Sequence, residues 1–151
     1  MNLASVLPGL LPQAVAWAEG EELGALRDGD PLLPEGLAVA RGVGPRSPER
    51  VRVRVVDSLP MPENPKLREA AVQCGLVGPG MIGLSLGYAI FMLRGHGDVR
   101  LLSHEWRHVY QYEAHGGIAA FLPVYLAQVV GVGYVSAPFE RDARIHEINP
   151  A

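Results

Sequence analysis

Two segments of this chain carry no charged side chain over 24 residues each, Ala70–Leu93 and Gly116–Phe139. A stretch of that length has only two stable destinations, a lipid bilayer or a protein core. The first holds Gly75, Gly78, Pro79, Gly80, Gly83 and Gly87, which favour turns and hairpins over a spanning helix. The second is interrupted by Pro123, Gln128, Gly131 and Gly133. Burial in a core accounts for both runs, and membrane association is not favoured. Apolar residues make up 48% of the 151 and charged residues 19%, enough apolar surface for one ordinary domain and against a disordered chain. The net charge of -3 excludes the concentrated positive surface that a nucleic-acid backbone requires. Cys74 is the single cysteine, so an intrachain disulfide and a four-cysteine metal site are both excluded. The N-terminus lacks the basic stretch of a secretory signal, and the expected location is cytoplasmic.

The local pattern predicts an α+β fold in one domain, residues 1–151. Ten of the 13 prolines fall in the first 80 residues, so 1–50 reads as an irregular N-terminal segment. Within it Leu10–Leu26 has loosely helical apolar spacing, and 28–50 reads as mostly loop. Residues 51–97 read as strands and turns. Arg50–Val55 alternates and predicts a strand whose three arginines form a solvated face. Pro60–Pro65 is an extended connector, Lys66–Cys74 a short helix, and Gly83–Met92 one or two strands. Residues 98–151 read as helical. Asp98 caps a helix from Val99 that Gly116-Gly117 ends; a second runs Ile118–Val130, and a third starts near Pro138 and runs towards Ile148.

The informative residues lie inside the first of these helices: His104-Glu105-Trp106-Arg107-His108, an H-E-x-x-H pattern. At about 100° per residue, positions four apart lie about 40° apart on the helix surface and one turn along. Both imidazoles can therefore reach one zinc ion at about 2.0–2.1 Å. Glu105 leans over the same site and can act as general base without ligating the metal. A shuffled chain of this composition would show the pattern about once in a hundred times. The flanking uncharged segments give a buried polar cluster here a reason to exist.

A catalytic zinc has three protein ligands and one open position. His115 lies two turns past His108, about 10.5 Å of rise, which is too far for one ion in an unbroken helix. It reads instead as a helix-end residue favoured by the macrodipole. Glu140 is the better third ligand: it opens the last helix and is the first charge after the uncharged run. Asp142 and Glu147 can serve as partners for imidazole N–H groups, with Glu147 the more natural solvent-facing residue.

His104, Glu105, His108 and Glu140 together resemble the zincin metallopeptidases of the gluzincin type, the group that includes thermolysin. That pattern is H-E-x-x-H on one helix and a glutamate ligand on a later one. The segment Ser103–Glu113, with Gly133-Tyr134 and Pro138-Phe139-Glu140 downstream, is similar to small bacterial metallopeptidases. The resemblance covers about residues 80–148. It implies a zincin-like fold, a small N-terminal sheet packed on a helical C-terminal half that carries the H-E-x-x-H helix. It also implies zinc-dependent hydrolysis of a peptide or protein substrate, with Glu105 as base on a zinc-held water. The substrate would lie extended along an edge strand within Gly83–Phe91, and Tyr134 or Tyr112 would steady the oxyanion. One departure stands out: thermolysin-like members place an aspartate or similar group four residues after the glutamate ligand, where this chain has Arg144. Two other readings compete. One is a non-catalytic zinc module, with His96 or His115 filling the fourth position. The other is a membrane-embedded metalloprotease.

Overall fold

The computed structural model describes residues 1–150. It has six α-helices and a four-stranded mixed sheet, an α+β architecture. In chain order these are α1 (Leu3–Asp28), β1 (Asp30–Pro31), α2 (Pro34–Val43), a 3₁₀ turn (Pro48–Arg50), β2 (Arg52–Val56), α3 (Pro65–Gln73), β3 (Gly83–Leu86), β4 (Ala89–Leu93), α4 (Val99–His115), α5 (Ile118–Val132) and α6 (Pro138–Ile145). The strand order is β1-β2-β4-β3. β2 and β4 run parallel, with α3 in the crossover between them, and the other two pairings are antiparallel.

β4 organises the core because its side chains alternate between two clusters, as a strand covered on both faces must. Ala89 and Phe91 pack with Leu86 against Leu10, Ala14 and Ala18 of α1 and Phe121 of α5. Ile90 and Met92 pack on the opposite side, with Val51, against Ala40 and Val43 of α2 and Leu101, Trp106 and Val109 of α4. β3 and β4 form a hairpin turned by Gly87 and Tyr88, where Gly87 adopts a φ of 64°. A Cβ there would stand 1.9 Å from a carboxylate oxygen of Glu22, which accepts the Tyr88 N–H at 2.8 Å, so glycine is required.

The irregular first 50 residues expected from proline content are not what forms. α1 runs for 26 residues with Pro8 and Pro12 inside it. An interior proline leaves the carbonyl four residues earlier unpaired and costs about 3 kcal/mol. Here Ala4, Pro8 and Pro12 all lie on the exposed side, so the freed carbonyls meet water, while the opposite side packs into the core. The expected loop at 28–50 likewise contains α2, with Pro34 at its first turn and a stop at Gly44, whose φ is 149°. Three other expectations hold. Asp98 Oδ1 accepts the Leu101 N–H at 2.9 Å, Gly116 closes α4 in the left-handed conformation, and Pro138 opens α6.

The strand expected from Arg50 starts at Arg52, because Arg50 closes the 3₁₀ turn before it. Arg50 sits over the Tyr88 ring at 4.1 Å, and Arg52 donates to the carbonyls of Glu49 and Val51. Each uncharged run enters the core in part, while Val72, Ile82, Val124, Val132 and Val135 within them stay exposed. The first supplies the β3–β4 hairpin. The second supplies α5, whose Ile118, Phe121, Leu122, Leu126 and Val129 are buried. Among the described residues no single helix is long and apolar enough to cross a membrane; α4 and α5 together pass that test only as a pair bent by 117°.

Phe91, 2% exposed on the central strand, should cost about 3–5 kcal/mol when truncated to alanine, measured by urea unfolding. Leu23→Ala, at a side chain 68% exposed, should change stability by no more than about 0.5 kcal/mol.

Candidate metal centre

α4 and α6 pack against each other, and their contact brings the polar residues of the two helices together inside the domain. His104 and His108, one turn apart on α4, both direct Nε2 at the carboxylate of Glu140 in the first turn of α6. The separations are 3.2 Å to Oε1 and 2.9 Å to Oε2. Glu140 is 1% exposed. Pro138 sets the first helical position of α6, which fixes where Glu140 enters the core. The donor atoms of His104, His108 and Glu140 all lie within 4.8 Å of one another, a grouping that could hold one metal ion. Donors about 2.0–2.1 Å from a tetrahedral ion would stand about 3.3 Å apart, inside the 4.8 Å bound of this grouping.

The second ring nitrogen of each histidine is also engaged. His104 Nδ1 lies 2.8 Å from Glu147 Oε2, and His108 Nδ1 lies 2.8 Å from Gln111 Oε1. Both partners are acceptors, so each Nδ1 carries a proton; each Nε2 donates to Glu140, and only on losing that proton would its lone pair face the shared point. The Gln111 amide is oriented by its own donors. Its Nε2 gives hydrogen bonds to the Phe139 carbonyl and to Asp142 Oδ2, both at 2.9 Å. Asp142 in turn accepts from Arg107 Nε at 2.7 Å, and Arg107 Nη1 donates to the Val43 carbonyl.

Two expectations change here. Glu147, read as the more natural solvent-facing residue, is the direct partner of His104 and also accepts from Arg100 Nε at 2.9 Å. Asp142 acts one step removed, through Gln111. Arg144, four residues past Glu140, donates to the Val135 carbonyl and holds no imidazole. The chain after α6 turns back along α4, with the Ile148 N–H bonded to Ser103 Oγ at 2.8 Å, and this return delivers Glu147 from seven residues past Glu140.

Glu105 lies beside the cluster without belonging to it. It is 4% exposed, and its Oε1 accepts the Ser85 hydroxyl of β3 at 2.7 Å. A Cβ on Gly83 would press to 2.8 Å from Leu101 Cδ1 and 3.3 Å from Glu105 Oε2, so glycine at 83 makes room for the acid. Tyr125 of α5 donates to Glu140 Oε2 at 2.7 Å. Tyr112 gives its hydroxyl to the Ser85 carbonyl at 3.1 Å and is thereby committed to tying α4 to β3. Tyr134 instead lines both cavities that meet at Glu105. His115 turns away, its Nδ1 on the Gln111 carbonyl and its ring against Phe121 and Phe139. His96 is exposed in the β4–α4 turn and stands outside the cluster.

Ser85, Gln111 and Tyr125 are the residues that sequence reasoning passed over. Gln111 was within reach, three residues past His108 and so on the same helix face. Ser85 and Tyr125 arrive through tertiary packing and leave no local signal.

Burial works to lower the His104 imidazole, but its hydrogen bond to Glu140 and the charges of Glu105 and Glu140 outweigh that and push it up to about 9. His108 is shifted upward by the same balance. Burial works to raise Glu140, yet the hydrogen bonds from His104 and His108 hold it well below the usual carboxylate range. Burial, then the charges of Glu140 and Glu105, raise Tyr134. Two cavities meet at the cluster. An inner one of about 120 Å³ reaches Glu105, His108 and Glu140 from between α1, α3 and α5. An outer one of about 620 Å³ reaches His104, Glu105 and Glu147 from the polar side.

No family model, no curated protein and no solved structure matches this chain. The likeness to gluzincins therefore rests on the motif and on the His104–His108–Glu140 grouping.

A raised imidazole stabilises the fold fully below its ordinary value of about 6.5, and that contribution is lost as pH rises through the folded value of about 9. Chelator-treated protein should therefore lose thermal stability between pH 7 and 10, followed as Tm by calorimetry. His104→Asn should flatten that decline.

Proposed function

We propose that the protein is a zinc-dependent hydrolase of peptide bonds. The observation that carries this reading is the grouping of two imidazoles and one carboxylate from separate helices, with an uncoordinated acid, Glu105, beside it at the junction of two cavities. Two histidines and a glutamate are the donor set of a catalytic zinc with one open position. When bound, zinc supplies Lewis acidity toward water and toward the scissile carbonyl.

The chain's own residues account for the remaining work. Glu105 takes a proton from the attacking water and returns it to the leaving amine, and Ser85 holds its carboxylate in place. Glu147 and the Gln111–Asp142–Arg107 network fix the imidazole tautomers. Tyr134, whose hydroxyl faces Glu140 instead of the backbone carbonyl that occupies Tyr112, is the donor for the developing oxyanion.

β3 is the free edge of the sheet. Its ladder runs through Ile82, Leu84 and Leu86, which turns the N–H and C=O of Gly83 and Ser85 away from β4. Tyr112 occupies the Ser85 carbonyl. The Ser85 N–H and both groups of Gly83 are left to pair with an extended peptide beside Glu105. A purely structural zinc would call for a fourth protein donor; His115 is held by the Gln111 carbonyl, and His96, on the lining of the outer cavity, is not among the clustered donors.

Purified protein should contain about one zinc per chain by elemental analysis, and His108→Ala should remove it. Glu105→Gln should keep the zinc and lower peptide hydrolysis by about 10²–10⁴-fold. Undiminished turnover in that variant would overturn the assignment of Glu105 as base.

A further inference from the structure

We infer that the inner cavity is a channel for one long, unbranched acyl chain, and that the bond cut is the amide joining that chain to the amino group of a peptide. The inference rests on the hydrolytic reading above and adds the class of substrate.

The channel follows from the spacing of apolar residues on α1. Leu3, Val6, Leu7, Leu10, Ala14 and Trp17 all line the cavity. At about 100° per residue they fall within an arc of about 100°, a single stripe along the helix. From Leu3 to Trp17 the stripe runs about 21 Å, at about 1.5 Å per residue. Leu67 and Ala70 of α3 and Leu126 and Val130 of α5 line the same space. Leu3, Val6, Leu7 and Trp17 are only half-buried, so the three helices do not close on one another. About 120 Å³ is open to the centre of a water molecule, which over that length describes a channel about one hydrocarbon chain wide.

The walls select hydrocarbon over peptide. Helical N–H and C=O groups are spent on their own turns. The carbonyls that Pro8, Pro12 and Pro123 free belong to Ala4, Pro8 and Ala119, all exposed residues. A peptide drawn into the channel would therefore bury its backbone without partners, whereas a hydrocarbon needs none. Apart from the Cys74 thiol and the Trp17 indole, the polar side chains on the lining belong to the hydrogen-bonded groups around Glu105 and Glu140. A ligand with a long apolar chain and one polar end matches that distribution. With the acyl carbonyl at the cluster, the peptide portion continues along β3. Water adds to that carbonyl, the C–N bond breaks, the fatty acid leaves as its carboxylate, and Glu105 carries the proton to the amine.

The test uses zinc-loaded full-length protein and acyl-glycylglycinamides, from acetyl through butanoyl, hexanoyl and octanoyl to decanoyl, with release of the fatty acid as readout. A methylene buried in hydrocarbon gains about fourfold, so each two-carbon step should raise kcat/KM about tenfold, through octanoyl at least. Rates that level off at butanoyl, as a pocket for one amino-acid side chain would give, would overturn the channel. Ala70→Phe narrows the channel from α3 and Val6→Phe from α1. Each should lower the octanoyl-to-acetyl ratio about tenfold. A ratio that neither variant moves would overturn the channel as well.

A second measurement separates this inference from the hydrolytic reading. N-methyldecanamide titrated into wild-type protein should shift the indole NMR signal of Trp17 and leave that of Trp106, which lies in the other core cluster. A shift at Trp17 without hydrolysis of any acyl peptide would keep the channel and refute hydrolysis. Hydrolysis at rates level beyond butanoyl, with no shift at Trp17, would do the reverse.

Discussion

A carboxylate that is 1% exposed has to be neutralised where it lies, and Glu140 meets that requirement with two imidazoles and a phenol. Leaving such a charge unpaired in the interior would cost several kcal/mol, more than a small domain can spare. The surrounding architecture follows from this need. α6 must approach α4 closely, α5 must pack so that Tyr125 reaches the same oxygen as His108, and the chain past α6 must return so that Glu147 can orient His104. Removal of either histidine would leave the acid with one imidazole and the Tyr125 hydroxyl. Occupation of the cluster by a divalent ion would satisfy the same three residues by another route.

The four residues of the H-E-x-x-H and Glu140 set were legible because helical periodicity and a charge after a long uncharged run are local facts. The structure groups His104, His108 and Glu140, and it places Glu105 beside them. The helix caps at Asp98, Gly116 and Pro138 were legible for the same reason. What escaped was decided by packing over distance. Pro8 and Pro12 argued against a long first helix, and only their position on its wet side made them tolerable. Glu147 read as a surface acid because nothing in its neighbours reveals that the chain doubles back. Gln111 escaped notice, although its spacing from His108 already put it on the right face.

The sheet and the helices divide the labour at the site. α4, α5, α6 and the returning tail supply the donors and hold their rotamers. β3 supplies an open backbone edge and, through Ser85, a tether for Glu105. Gly83 joins the two functions, since the missing side chain both admits the acid and exposes the backbone next to it. The Gln111–Asp142–Arg107 path carries the support outward to the end of α2, so the imidazole of His108 is braced from a neighbouring helix.

α1 forms one wall of the inner cavity, yet no side chain of that helix forms a hydrogen bond with His104, Glu105, His108 or Glu140. The apolar lining and the polar cluster thus come from different parts of the chain. Substitution within the first helix can reshape the hollow while the network around Glu140 keeps its form.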